Sequence, residues 1–441
     1  MIFLPSARYV AACEVLARNI LALAALVPPI VSADMNNSLL DNSTLSTRIE
    51  SEWAVFTKDT RTQKLQLMIE PELEMKAGED SSITTIARLR TDAKNNLSPS
   101  DHSQAELREF YLDTSIKDSI VMLGKQQVVW GKSDGLKVLD IVNPQDFREF
   151  ILDDFDQSRI PLWTVNAEIP INNVTLQLLL IPDQSYHEFA TPGSSYPFTS
   201  PIIIPPTPAG ANVLVKPTIT PDKILQDADA GFRLSTFTHG WDLTFNYLYH
   251  YDDTPVIFRT INNTTAGLNI SITPQYKRTH LIGGTFSNTF GDLTLRGEVG
   301  YLSDRYIPTN NPLDNDGVVN TGEFKYVIGF DWYGLSNTLL STQLFQTYLN
   351  NHEAGMIQEK LNTKLTFLIK QEYMNETLHA EILFLHDLDY EDGMLRPKLS
   401  YEYNDKVNIY AGADIFYGSK DGLFGQFKET DRIVSGIIIG F

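Results

Sequence analysis

Residues 64–76 have the sequence KLQLMIEPELEMK, in which apolar side chains alternate with polar ones. Alternation with a period of two places successive side chains on opposite faces of a β-strand. The same pattern recurs along most of the chain, for example in 241–251, 292–302 and 406–417. The sequence therefore predicts an all-β protein whose sheet has one apolar and one polar face.

Strand length and connection length separate a membrane barrel from a soluble sandwich. Many alternating segments run ten to thirteen residues, whereas soluble strands have about five or six residues and tilted membrane strands about nine to eleven. Short links such as 117–119 and 404–405 alternate with long ones such as 131–160 and 183–229. This arrangement is typical of a transmembrane antiparallel up-and-down β-barrel, with long loops on the outside of the cell.

The alternation predicts eighteen strands, and sixteen is the alternative if the weakly alternating segments 83–92 or 377–389 are not strands. An even number places both chain ends on the periplasmic side. The predicted strands are 45–56, 64–76, 83–92, 105–116, 119–130, 161–170, 173–182, 230–239, 241–252, 276–289, 292–304, 322–332, 336–350, 361–373, 377–389, 395–404, 406–418 and 432–441.

The last predicted strand carries a signal for assembly. Gly436, Ile439 and the terminal Phe441 match the C-terminal pattern that barrel-assembly machinery favours, although Val434 stands where a polar residue is usual. The predicted partners are therefore this machinery during biogenesis and the lipids of the outer membrane.

The N-terminal residues have the organisation of a signal peptide. Arg8 and Arg18 precede the apolar run 20–27, prolines follow it, and Val31-Ser32-Ala33 supplies small residues for cleavage after Ala33. An apolar run of eight residues is too short to span a bilayer as a helix, which needs about twenty. We expect a signal peptide at 1–33, a barrel at 34–441, and the outer membrane of a Gram-negative cell as the location.

Charge and cysteine content exclude several function classes. The chain has 35 basic and 55 acidic residues and a formal charge of −20, which argues against a nucleic-acid partner because phosphate binding needs clustered Lys and Arg. The one cysteine, Cys13, lies in the predicted signal peptide, so the mature protein would have no thiol for disulfides, metal sites or catalysis.

No enzyme, cofactor or metal site is predicted. Residues 131–135, Gly-Lys-Ser-Asp-Gly, match the nucleophile elbow of serine hydrolases, but that motif needs a helix packed on a parallel sheet. The eight histidines show no zinc-binding spacing.

Loop 131–160 is the main candidate functional segment. Asn143 and Pro144 have the types expected at the start of a short helix, and Phe147, Phe150 and Ile151 would form its apolar stripe. This helix either folds into the lumen and narrows it or caps the rim, and the sequence leaves both open. The predicted pore residues are Arg148, Asp153, Asp154, Asp156 and Arg159 in the loop, and Arg88, Arg296 and Glu298 on inward faces of strands.

The Pro-rich stretch 192–221 cannot pair in a sheet and should form a stiff surface loop. Its apolar segment 201–206 either packs against loop 131–160, enters the lumen as a second plug, or presents a patch to a hydrophobic ligand or partner.

Several motifs resemble those of a family of uncharacterised proteobacterial outer-membrane proteins of unknown function. They are Gly124-Lys125-Gln126, Trp130-Gly131 and Asn143-Pro144-Gln145-Asp146. The resemblance implies an outer-membrane barrel and little chemistry, and it suggests an envelope export or lipid-transport system as a partner.

Two functions follow from these observations. The first is a porin-like channel or transport component for small molecules, with a lumen constricted by loop 131–160. The alternative is an accessory barrel that binds or passes a hydrophobic ligand or lipid for an envelope export system.

Overall fold

The computed structural model describes residues 42–94, 102–264, 267–311 and 313–441. The predicted signal peptide and its cleavage position lie outside these residues. Within them no helix has the length and apolar composition needed to cross a membrane.

The described residues form 23 strands and one four-residue α-helix, α1 (Phe155–Ser158). In chain order the strands are β1 (Ser43–Phe56), β2 (Thr62–Lys76), β3 (Ser81–Asp92), β4 (Ser103–Ile116), β5 (Ser119–Gln126), β6 (Asp146–Phe147), β7 (Leu162–Ile171), β8 (Val174–Ile181), β9 (Glu188–Phe189), β10 (Asn212–Val215), β11 (Asp229–Thr238), β12 (Trp241–Tyr251), β13 (Val256–Thr264), β14 (Gly267–Gln275), β15 (Arg278–Phe290), β16 (Leu293–Pro308), β17 (Val318–Leu335), β18 (Thr338–Leu349), β19 (Leu361–Tyr373), β20 (Leu378–Asp387), β21 (Asp392–Asn404), β22 (Val407–Tyr417) and β23 (Arg432–Gly440).

Eighteen of these strands form one closed antiparallel barrel, which confirms the predicted fold and the count of eighteen over sixteen. Each barrel strand pairs with the next one along the chain, and β23 pairs back to β1, with Ile49 opposite Ile439. The barrel wall does not include the other five strands, β6, β9, β10, β13 and β14, which form two small separate sheets. Closure leaves no wall strand with a free edge, so the backbone N–H and C=O groups of neighbouring wall strands bind one another.

The connections alternate in length as the sequence predicts. One end of the barrel has tight turns, such as His239-Gly240, where both residues have positive φ (51° and 83°). Two-residue turns with left-handed backbone match the twist of paired strands. Both ends of the barrel chain lie at this end, since β1 begins opposite Met75 and β23 ends opposite Val407.

The two faces of the wall differ in polarity. In β2, Leu65 and Leu67 point outward and are 41% and 40% exposed, whereas the intervening and preceding polar side chains point inward, with Lys64 only 3% exposed. An apolar exterior and a polar interior are what a barrel in lipid requires.

Several predicted boundaries are wrong. Strand β5 ends at Gln126 and not at residue 130, because the chain turns into the barrel there and the Val128 N–H binds the Asn143 side chain. The predicted loop 253–275 contains the hairpin β13–β14, and β16 and β17 extend to Pro308 and from Val318, which shortens the predicted loop 305–321. The prediction that 192–221 cannot pair in a sheet is also wrong, because the proline-free residues of β10 pair with β14.

Candidate functional site

The connection between β5 and β7, residues 127–161, folds into the barrel and crosses it; we call it the inward loop. On one side the Gln343 side chain of β18 donates to Asp134 at 3.1 Å. On the other side the Lys64 ammonium of β2 contacts Glu149 at 2.8 Å. The loop therefore contacts two distant parts of the inner wall.

The first half of the inward loop packs on an apolar part of the wall. Trp130 and Leu139 have no exposed surface, and Leu139 sits over the cross-strand pair Gly283 and Gly300. A Cβ atom on Gly300 would lie 3.1 Å from Leu139 Cδ2, so glycine leaves the space that Leu139 occupies. The buried apolar cluster consists of Val128, Trp130, Val138, Leu139 and Val142 from the loop and Leu162, Leu179, Ile181, Leu248, Leu281, Leu302, Val327 and Phe345 from the wall.

Two of the predicted pore residues hold this half of the loop. Glu298 is 2% exposed and accepts hydrogen bonds from the backbone N–H groups of Lys132 and Leu139, the latter at 3.0 Å. Arg296 contacts Asp134 of the loop and pairs with Asp331 of β17 at 2.8 Å. Both side chains are engaged with the loop and the wall beside it, and neither lines the cavity beside loop residues 152–157.

The helix predicted from Asn143 to Ile151 is wrong. Asn143 does not cap a helix: its side chain accepts from Val128 N–H at 2.7 Å and donates to Ile160 O at 2.9 Å. Residues 146–147 form β6, which pairs with β9, and Phe150 has a positive φ of 55°. These tertiary contacts compete with helix formation, and the only helix of the loop is α1, further along, among the described residues.

The motif residues of the family resemblance lie at packing points of the loop. A Cβ on Gly131 would come within 2.7 Å of Asp140 Cβ, and the Trp130 indole donates to Gln177 at 2.8 Å. Asn143 and Pro144 tie the two ends of residues 144–160 together, since Ile160 N–H donates to Pro144 O at 2.8 Å. Whether these residues are a family signature stays a prediction.

Arg148 and Arg159, also predicted for the pore, stabilise the loop itself. Arg159 donates twice to Asp140 Oδ2, at 3.0 and 2.8 Å. Arg148 donates to both carboxylate oxygens of Asp146, at 2.9 and 2.6 Å. Burial would raise the pKa of Asp146, but the bonds from Arg148 outweigh burial and lower it to about 2.

A buried ion-pair network joins the second half of the loop to the barrel seam, where β1 meets β23. Lys64 contacts Glu52 at 3.0 Å and Glu149 at 2.8 Å, and Arg432 lies 3.5 Å from Glu149. Arg432 also pairs with Asp414 at 2.7 Å. None of these residues is among the predicted pore residues, although the inward alternation in β1, β2, β22 and β23 identifies them.

A cavity of about 380 Å³ lies between residues 152–157 of the loop and the wall formed by β1–β3 and β19–β23. Of the predicted pore residues, Asp153, Asp154, Asp156 and Arg88 line it. The structure thus brings four of the eight together at the cavity and places the other four at loop anchors.

Charges on the cavity wall are mostly paired. Arg48 contacts Glu50 at 2.7 Å, and Lys370 contacts Glu381 at 3.0 Å. By contrast, Asp154 and Asp156 have no basic partner within 4.0 Å among the described residues, and Asp153 reaches Lys64 only at 4.0 Å. The loop side of the cavity is therefore anionic.

Asp153 has an altered acidity. Burial raises the pKa of its carboxyl to about 6; Lys64 opposes this shift, and the nearby carboxylates of Glu149 and Glu52 add to it. Its charge therefore changes in a range of pH close to neutral.

The Pro-rich loop packs against the inward loop. Phe198 contacts Phe150 with ring centroids 5.9 Å apart, and buried Tyr196 contacts Phe427 at 5.6 Å. In the neighbouring apolar segment, Ile204 is 51% exposed.

The motif 131–135 has no catalytic partner in the described residues. The Ser133 hydroxyl donates to the backbone oxygen of Leu136 at 2.6 Å. The described part of the chain contains no group of three or more His, Cys, Asp or Glu side chains that could hold a metal ion.

Comparisons with known proteins agree with this architecture. The model of a family described as protein of unknown function (DUF1302) matches residues 70–424. No curated protein sequence matches the chain.

Among solved structures, Acinetobacter baumannii OccAB2 is similar with a TM-score of 0.54 and 10% identity, covering 92% of this chain and 99% of its own. The outer membrane protein OpdK of Pseudomonas aeruginosa is similar with a TM-score of 0.53 and 9% identity, covering 91% and 99%. A structure of OpdK with vanillate has a TM-score of 0.52 and 8% identity over the same shares. The shared fold is the eighteen-stranded barrel of outer-membrane porins.

Proposed function

We propose that this chain, which belongs to the DUF1302 family of proteins of unknown function, is an outer-membrane channel for small water-soluble molecules. The observation that carries the proposal is the charged cavity between the inward loop and the seam side of a closed barrel. Ordered charged groups around an aqueous space are how channels select solutes. The fold shared with OpdK and OccAB2 supports a porin-like channel.

In this proposal the inward loop is the constriction. Its first half fills one side of the lumen with packed side chains, so solutes pass on the other side, between residues 152–157 and the wall. The carboxylates of Asp153, Asp154 and Asp156 face this passage from the loop, and basic residues face it from the wall. We expect the three carboxylates to raise the permeability of cations relative to that of anions of the same size.

Deletion of the loop tests both parts of the proposal. Residues 145–159 are replaced by a short Gly-Ser linker, because the 2.8 Å bond between Ile160 N–H and Pro144 O shows that the remaining ends are adjacent. Single-channel conductance in planar bilayers is measured for both proteins. We expect wild type to conduct and the deletion variant to conduct more.

Two results would contradict it. If neither protein conducts although both migrate as folded, heat-modifiable barrels, the protein is not a passive channel. If both conduct equally, the loop does not limit the passage.

The location and biogenesis of the protein are part of the same proposal. We expect a signal peptide removed after Ala33, so that N-terminal sequencing of the membrane-extracted protein starts at Asp34.

We expect barrel-assembly machinery to recognise Gly436, Ile439 and Phe441. Phe441 continues the β1–β23 pairing: its N–H donates to the Thr47 backbone oxygen at 3.2 Å, and its backbone oxygen accepts from the Thr47 N–H at 2.8 Å. Deletion of Phe441 should lower the amount of folded protein in the outer membrane.

The second function, an accessory barrel for a hydrophobic ligand or lipid in an envelope export system, rests on the family resemblance and on the apolar segment 201–206. The charged lining of the cavity favours water-soluble solutes instead. Lipid that co-purifies with the barrel and is identified by mass spectrometry would favour this second function.

A further inference from the structure

Three arginines from separate strands converge on one short segment of the inward loop. Arg396 of β21 donates to the backbone oxygens of Ile151 and Leu152, at 3.3 and 2.6 Å. Arg88 of β3 donates to the backbone oxygen of Gln157 at 3.3 Å and also bonds its side-chain oxygen. Arg108 of β4 donates to the backbone oxygen of Asp156.

These guanidinium groups bind main-chain carbonyl groups although three carboxylates lie in the same segment. Asp153, Asp154 and Asp156 are within a few residues of every acceptor, yet none of them pairs with Arg88, Arg108 or Arg396 within 4.0 Å in the described structure. Bonds to carbonyl oxygens fix the backbone itself and leave the carboxylates directed at the cavity.

Leu152 is buried, and Ile151 packs beside it, in an apolar cluster with Phe416 and Phe427, whereas in the described structure no residue of 153–157 belongs to a buried apolar cluster. The helix α1 of this segment has four residues and no side-chain cap, and isolated helices of this length are unstable. Residues 151–157 connect to opposite arcs of the wall through the arginines, since β3 and β4 lie on one side of the seam and β21 on the other. Removal of either attachment would let the segment move.

We infer that Arg88, Arg108 and Arg396 are positioning residues that set the width of the passage by holding residues 151–157 by their backbone. The inference rests on the proposed channel function for its consequence, but the attachment itself is independent of conduction. Arg396 is the best position for a test. Its ion-pair partner Asp414 also pairs with Arg432 at 2.7 Å, and this second ion pair remains when Arg396 is replaced. The substitution therefore leaves no unpaired buried carboxylate.

The test compares Arg396→Met with Arg396→Lys and with the matched control Arg48→Met. Arg48 lines the same cavity but bonds Glu50 of its own strand, so its removal takes away the same charge without touching the loop. Two quantities are measured on the full chain. One is hydrogen exchange of the Leu152 and Gln157 amides, which donate to the backbone oxygens of Glu149 and Asp154, and the other is single-channel conductance.

We expect exchange in residues 151–157 to be about ten-fold faster in Arg396→Met, because one charge-assisted hydrogen bond is worth at least about a factor of ten in an equilibrium. The fraction of time in a state of larger conductance should rise by a similar factor. Arg396→Lys should fall between wild type and Arg396→Met, because an ammonium group cannot span two carbonyls as a guanidinium does. Arg48→Met should leave the exchange unchanged.

Unchanged exchange in Arg396→Met, or an equal increase in Arg48→Met, would overturn the inference. If no variant conducts, the channel proposal fails, and the exchange result still decides whether the arginines hold the segment. If exchange rises and conductance does not, the arginines hold the segment without setting the width, and the inference fails in that part.

Discussion

The two sides of the lumen differ in chemistry, although the second half of the inward loop also buries Phe150 and Leu152 in an apolar cluster with wall residues Leu385, Met394 and Phe416. On the side of β7 to β18, apolar wall residues and the first half of the inward loop exclude water. On the side of the seam, charged residues of β1–β3 and β19–β23 surround a cavity of about 380 Å³. The first half of the inward loop is thus fixed by burial of apolar side chains, whereas the charged cavity on the other side is the passage in our proposal.

The apolar side should dominate stability. Leu139→Ala should lower the free energy of unfolding by about 2–5 kcal/mol, since it leaves a cavity over Gly283 and Gly300 in a fully buried cluster. Urea unfolding in phospholipid vesicles measures this. The control Leu225→Ala, at a residue that is 78% exposed, should change it by less than about 0.5 kcal/mol. Equal effects would contradict the stabilising role of the buried packing of Leu139.

The next largest effect is expected at Glu298, whose hydrogen bonds hold the first half of the inward loop. Glu298→Gln should cost about 1–3 kcal/mol, because a glutamine amide can accept from only one of the two backbone N–H groups and presents its own donor to the other. Hydrogen exchange at the Leu139 amide should accelerate accordingly. Glu381→Gln, which alters a half-exposed ion pair with Lys370 on the cavity wall, should leave that amide unaffected.

The smallest effect is a pH dependence confined to the charged side. Burial raises the pKa of Asp153 to about 6, so its carboxylate is ionised above this pH and protonated below it. Cation preference, measured as the reversal potential under a salt gradient, should therefore decrease as pH falls from about 7 to about 5. Asp153→Asn should flatten this step. A step of the same size in the variant would assign the titration to another group.

The barrel was predictable from the sequence because a period of two is a local property. Alternation and connection length gave the strand count and the inward faces of Arg88, Arg296 and Glu298. The sequence does not predict which charged side chains line the cavity and which anchor the loop, because this depends on the part of the barrel wall that the loop contacts. Arg296 and Glu298 share the inward face with Arg88, and all three bond the loop, but the tertiary path of the loop brings only Arg88 to the cavity.

The conformation of residues 143–151 was also not predictable from the sequence. Asn143, Pro144 and the apolar spacing of Phe147, Phe150 and Ile151 favour a helix locally. The bonds of Asn143 to Val128 and Ile160 and the pairing of β6 with β9 connect residues distant in sequence and outweigh that preference. Helical periodicity contains no information about such partners.

The central claim, that solutes pass on the seam side only, is tested by paired cysteine accessibility. The one native cysteine, Cys13, lies in the predicted signal peptide, so each introduced cysteine is expected to be the only one in the mature protein. Gln66→Cys places a thiol at the cavity, and Val327→Cys places one under the apolar half of the loop. A charged thiol reagent is added during single-channel recording. We predict that it reduces the current of Gln66→Cys and leaves Val327→Cys unchanged; a reduced current in Val327→Cys with none in Gln66→Cys would contradict the account.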